Sequence, residues 1–147
     1  MQVLSVLCGQ RTLEAANLLL QNSRYMQEHI RDSQFFQPGT VGYAKEWCTV
    51  KVGGPRRTGH SWTINELIKQ FDDQVIVITP TLDQSRLYTA THKASIRSLD
   101  RIRGLSGIRA VIVDCVSVLS KKELAEVYGI CACLVVREGP FHFILMQ

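Results

Sequence analysis

No run of apolar residues in this sequence approaches the roughly 20 needed to cross a bilayer. The apolar stretch from Met1 to Cys8 is short and has no basic residues ahead of it, so neither a signal peptide nor a membrane helix is expected. Compositional extremes are missing too. With 46% hydrophobic and 20% charged residues, the chain reads as a soluble globular protein, not a disordered or repetitive one. None of the five cysteines (Cys8, Cys48, Cys115, Cys131, Cys133) forms a Cys-x-x-Cys pair, and the histidines show no ligand spacing, which argues against zinc. Cys131 and Cys133 are expected on one face of a strand, in an apolar run where cysteine acts as a small hydrophobe. A reducing, cytoplasmic setting is the simplest expectation.

The chain's 147 residues suffice for one core. Thr12 to about Arg31 reads as a helix, with Leu13, Ala16 and Leu20, then Leu19, Met26 and Ile30, forming an apolar stripe. Pro38 and Gly39 break that pattern, so residues 1–46 are expected to be a helical extension and connector, and residues 47–147 the core. Within the core, strand and helix signals alternate. Trp47 to Gly53 reads as a strand, and Ile64, Leu67, Ile68 and Phe71 mark an amphipathic helix. "QVIVIT", "AVIVD" and "ICACLVV" are continuous apolar runs of the kind buried on both faces, and "FHFILM" reads as a last strand. Thr81 with Gln84 and Ser120 with Glu123 are capping-box signals, each opening a helix. The fold class expected is α/β, a three-layer sandwich around a mainly parallel sheet.

The segment "VKVGGPRRTGHSW" places a glycine-rich turn between a strand and a helix. Gly54 to Ser61 spells GPRRTGHS, which fits the phosphate-binding pattern G-x-x-x-x-G-K-[ST] except that His60 stands where the lysine belongs. In such a turn successive backbone N–H groups and the helix N-terminus converge on an anion, and glycines allow the close approach. Gly54, Arg56, Arg57, Thr58, Gly59, His60 and Ser61 are therefore the candidate phosphate-binding set. Asp114, at the C-terminal end of a buried strand, stands at the edge where open α/β sheets gather ligands. It can hold the water shell of a Mg²⁺ opposite Ser61.

On these residues the chain from about Trp47 to Gln147 resembles the P-loop NTPase superfamily, GPRRTGHS looking like a variant Walker A and AVIVD like a Walker B. The order of elements is similar to the branch of helicases, RecA-like proteins and AAA+ ATPases, in which a further strand separates the P-loop strand from the Walker B strand. The resemblance implies ATP or another NTP as ligand, with Mg²⁺ at Ser61 and Asp114. In that branch a polar sensor residue follows the next strand, and Arg137, after CLVV, holds the place by position. His60, Asp114 and Arg137 are thus the candidates for catalytic roles. Two departures weaken hydrolysis. His60 lacks a permanent charge, and Cys115 stands where the branch usually has the glutamate that activates water.

The net charge of +4 is local, because residues 91–109 carry five cations and one anion, and the rest of the chain balances. Lys93, Arg97 and Arg101 recur at i, i+4, i+8, and with Arg103 they would form a cationic helical stripe suited to a nucleic-acid backbone or an acidic protein. No aromatics are interleaved to stack bases. Two functions compete on this sequence. One is a degenerate nucleotide-binding ATPase in a nucleic-acid-processing assembly, as a homo- or hetero-oligomer. The other is a catalytically inactive module of the same fold that binds through the basic segment.

Overall fold

The computed structural model describes residues 2–53, 60–136 and 139–147, with the side chains of residues 2–7 left aside. A long helix α1 (Gln2–His29) opens the chain, followed by a short helical turn α2 (Val41–Tyr43) that widens into a π-turn (Ala44–Cys48). The strands are β1 (Thr49–Val52), β2 (Val75–Thr79), β3 (His92–Ser95), β4 (Ala110–Val113) and β5 (His142–Met146). Between them lie α3 (His60–Phe71), α4 (Leu82–Ser85) and α5 (Lys121–Cys131), with 3₁₀ turns at Asp72–Gln74, Ile96–Ile102 and Val116–Val118.

All five strands run parallel in the order β1-β5-β4-β2-β3. Every side chain of β2, β4 and β5 is buried, as their uninterrupted β-branched and apolar sequences predict. Alternate residues feed two cores. Ile76, Ile78, Val111, Val113, Phe143 and Leu145 meet α5 and the Ile96–Ile102 turn on one face. Val75, Val77, Ala110, Ile112, Ile144 and Met146 meet α1 and α3 on the other. This is the α/β class expected, with helices over both faces of a parallel sheet.

The N-terminal helix is closely tied to the core. Ala16 and Leu20 are buried against α3 and β1, whereas Leu19, one position round the helix, is exposed. Buried Gln27 pairs with the backbone just before β5: its Nε2 donates to Phe141 O at 2.8 Å, and Phe141 N donates to its Oε1 at 3.1 Å. The side-chain amide thus plays the part of a neighbouring strand for a residue that has none there.

Three expectations are corrected. The run ICACLVV is not a strand. The Ser120–Glu123 capping box is complete, and the helix it starts continues through Cys131, burying Val127, Tyr128 and Cys131 on one side. Only Val135 bridges to Ile108. The helix takes Ile130 and Cys131 of the run, and residues 132–134 form a turn after it. Cys131 is accordingly buried and Cys133 exposed, instead of sharing a strand face, and no disulfide links any cysteine. The first strand is also shorter than expected, since Trp47 and Cys48 belong to the π-turn.

The basic segment is not one helix. Lys93 lies on β3, and the residues after it form a 3₁₀ turn kinked at Ser98. Leu99 and Ile102, three residues apart after the kink, are buried. With Lys93 on a strand and the kink at Ser98 between Arg97 and Arg101, the i, i+4, i+8 stripe of one helix does not form.

His142 opens β5 with 1% exposure, and neither ring nitrogen has a hydrogen-bond partner among the described residues. Burial, with a smaller contribution from the Arg24 charge, lowers its pKa to about 4 from an ordinary 6.5. The unfolded chain therefore binds a proton that the folded chain refuses between those values, and stability falls as pH drops from about 6.5 through about 4. Urea unfolding at pH 7 and pH 4.5 should show the wild type losing about 2–3 kcal/mol more than a His142→Leu variant over that interval.

Candidate functional site

Because all strands are parallel, their C-terminal ends share one edge, and there the sequence-predicted residues gather. Gly53 follows β1, Asp114 follows β4, and Ser61 sits in the first turn of α3. Residues 54–59, which carry Gly54, Arg56, Arg57, Thr58 and Gly59, lie outside the described residues, as does Arg137. The remaining candidates are placed well enough to build the site from its own chemistry.

Asp114 is only 6% exposed. Its backbone N–H continues the sheet by donating to Ile78 O at 2.9 Å. A carboxylate so far from water must find donors, or its burial costs several kcal/mol. Its donor is Tyr88, whose hydroxyl gives its proton to Asp114 Oδ2. Tyr88 is itself 2% exposed. Burial and the Asp114 hydrogen bond push the tyrosine pKa well above its ordinary value, so the hydroxyl keeps its proton. Ser61 is exposed in the first turn of α3, which starts from the same edge.

The backbone that carries Tyr88 is pinned from two sides. Asn65 Nδ2 donates to Leu87 O at 3.2 Å, and Thr89 N donates to Asn65 Oδ1 at 3.3 Å. Lys93 Nζ donates to Tyr88 O at 3.1 Å. Asn65 is one turn beyond Ser61 on α3, so the helix that presents the serine also fixes the tyrosine. Upstream of this segment, Thr81 caps α4 by accepting from Gln84 N, as its position predicts, but the helix lasts only four residues.

His60 opens α3, and its Nε2 is shut off from solvent without a hydrogen-bond partner among the described residues. Cys115 adopts a left-handed conformation (φ 52°), which turns the chain sharply after Asp114 into the 3₁₀ turn at Val116. A non-glycine residue there costs about 1 kcal/mol. The polar residue that follows the strand after β4 is Gln147, not Arg137, because that strand is β5. Gln147 N donates to Val52 O at 3.0 Å, and its Oε1 lies 3.3 Å from where a side chain on Gly53 would begin. Glycine at position 53 lets this amide stand beside the start of the predicted phosphate loop.

Sequence reasoning missed Tyr88, Asn65 and Gln147. Gln147 could have been found once "FHFILM" was taken as the strand next to AVIVD. Tyr88 sits in "RLYTAT", where no spacing or cap marks a buried residue.

Of the basic residues, Lys93 is engaged with Tyr88 O, and Arg103 Nε pairs with Asp100 Oδ1 at 2.8 Å. Arg109 Nε donates to Gln74 Oε1 at 3.1 Å. Arg97 and Arg101 are exposed.

No group of three or more His, Cys, Asp and Glu side chains that could hold a metal by itself occurs among the described residues. No described helix is long and apolar enough to cross a membrane. No protein-family model, curated protein or solved structure matches the chain.

An Asn65→Ala variant removes both bonds that hold the backbone beside Tyr88. The expected result is a loss of about 1–2 kcal/mol in stability. It should also bring amide exchange at Thr89 at least about tenfold faster than in the wild type, read by NMR.

Proposed function

We propose that the chain is a P-loop NTPase-like nucleotide-binding protein for ATP or another NTP, with Mg²⁺ and only weak hydrolysis. The observation that carries this reading is the buried Asp114 at the end of β4, on the same C-terminal edge of a parallel sheet from which β1 leads towards α3 and Ser61. The two residues were predicted from separate motifs to share a cation. The strand order supports the reading as well, since β5 separates the strand before the glycine turn from the strand that ends at Asp114.

The residues of the edge divide the work. The glycine turn and the N-terminus of α3 would receive the phosphates, with His60 in the place of the usual lysine. Ser61 and Asp114 would hold the cation, which when bound neutralises phosphate charge. Gln147 takes over from Arg137 as the polar residue beside the loop. Cys115 cannot activate water as a glutamate does, and no carboxylate other than Asp114 is buried among the described residues. Binding is therefore retained more fully than hydrolysis. The setting assumed is cytoplasmic, within a nucleic-acid-processing assembly.

A second reading, an inactive module of the same fold, draws on the exposure of Arg97 and Arg101, whose charges are open to a nucleic acid or an acidic protein. The two are separable. Isothermal titration should give an ATP Kd below about 1 mM. A His60→Lys variant should bind about tenfold tighter, because a permanent charge then meets the phosphates. Reversal of Arg97 and Arg101 to glutamate should leave ATP binding unchanged. A folded protein that ignores millimolar ATP, yet loses nucleic-acid or protein binding on that reversal, would favour the module.

A further inference from the structure

The sheet has two flanks, and β1 forms one of them. In a parallel ladder, a residue turns both of its backbone groups toward the same side, and successive residues alternate. Val52 O accepts from Gln147 N, so Val52 and, two residues back, Val50 face β5. Thr49 and Lys51 therefore point their N–H and C=O groups away from the sheet. A strand side in that state is a template for pairing with another chain. The other flank, β3, differs in that its lysine, Lys93, is turned to Tyr88 O.

Beside the flank of β1 lies a groove of about 400 Å³. Helix α1 contributes Leu19 and Met26 to it, and the π-turn contributes Glu46 and Trp47. Leu19 is exposed here, although the next residue, Leu20, is buried in the core. The groove thus joins an apolar wall to a row of outward-facing backbone groups.

Charge selects what can enter. Val50 and Val52 face the core under α1 and α3, so Thr49 and Lys51 carry their side chains on the other face of the sheet. Lys51 is exposed and has no ion-pair partner among the described residues. A strand added here would show one row of side chains to Leu19 and Met26 and the alternate row to Lys51. Glu46 precedes β1 by three residues, so a carboxylate is matched at the Lys51 end of the groove and not along its whole length. Two copies of the chain pairing through β1 would set their Lys51 side chains opposite or diagonal on one face, where like charges destabilise.

We propose that the flank of β1 is a docking site for an extended segment of a partner protein that alternates apolar and acidic residues. The segment adds a strand to the sheet, bonding the outward N–H and C=O of Lys51. Its apolar side chains cover Leu19 and Met26, and a carboxylate faces the Lys51 ammonium group. This inference is independent of the nucleotide reading, which concerns the C-terminal edge.

The test uses the full chain and two fluorescein-labelled hexapeptides, one alternating valine with glutamate and one alternating valine with lysine. Fluorescence anisotropy should give the glutamate peptide a Kd below about 1 mM and the lysine peptide one at least about tenfold weaker. A Lys51→Glu variant should reverse that preference. N-methylation of the glutamate peptide's backbone removes its strand donors and keeps its side chains, and should weaken binding about tenfold or more. Amide exchange at Lys51, read by NMR, should slow about tenfold when the peptide binds. Equal binding of the two peptides, binding that survives N-methylation, or none at about 1 mM would overturn the proposal. So would a wild-type dimer in sedimentation whose Lys51 amide is already protected, since a second copy would then hold the flank. Should Lys51→Glu not fold, the comparison of peptides on the wild type decides.

Discussion

Three adjacent strands, β5, β4 and β2, bury every one of their side chains, and the rest of the molecule follows from that constraint. A sheet buried on both faces has to be covered twice, which α1 and α3 do on one side and α5 with the Ile96–Ile102 turn on the other. Parallel neighbours need crossovers, and these bring every strand out at the same edge. Polar groups at that edge cannot hide within the sheet, so they are satisfied by one another or by a ligand. The functional site is a consequence of the packing before it is a matter of motifs.

Asp114 shows how this works at the level of one residue. Its strand is buried to the last side chain, so its carboxylate begins life nearly dry. Tyr88 supplies the proton, and Asn65 on α3 holds the backbone on both sides of the tyrosine. A helix, a strand and an irregular segment are thereby held together around one buried carboxylate.

Much of the fold was legible from residues alone, for reasons that also mark the limits. QVIVIT, AVIVD and FHFILM became strands because β-branched runs with turn signals at their ends leave little alternative. ICACLVV had the same composition, but the helix capped at Ser120 took its first two residues and the next three form a turn, leaving too little for a strand. The Lys93–Arg101 stripe failed because Lys93 was drawn into the edge strand and the turn after it is kinked at Ser98. The places of Ser61 at the start of a helix and Asp114 at the end of a strand were legible because short motifs fix them relative to those elements. Tyr88 was not, because its place comes from tertiary proximity to Asp114, 26 positions away. Gln147 was hidden by a misplaced strand upstream.

The most direct measurement of the central claim is backbone amide NMR of the folded chain titrated with ATP. Binding at the C-terminal edge predicts shifts at Gly53, His60, Ser61, Tyr88, Asp114 and Gln147, converging on a single affinity. Shifts confined to the Arg97–Arg103 segment, or none at millimolar ATP, would contradict it.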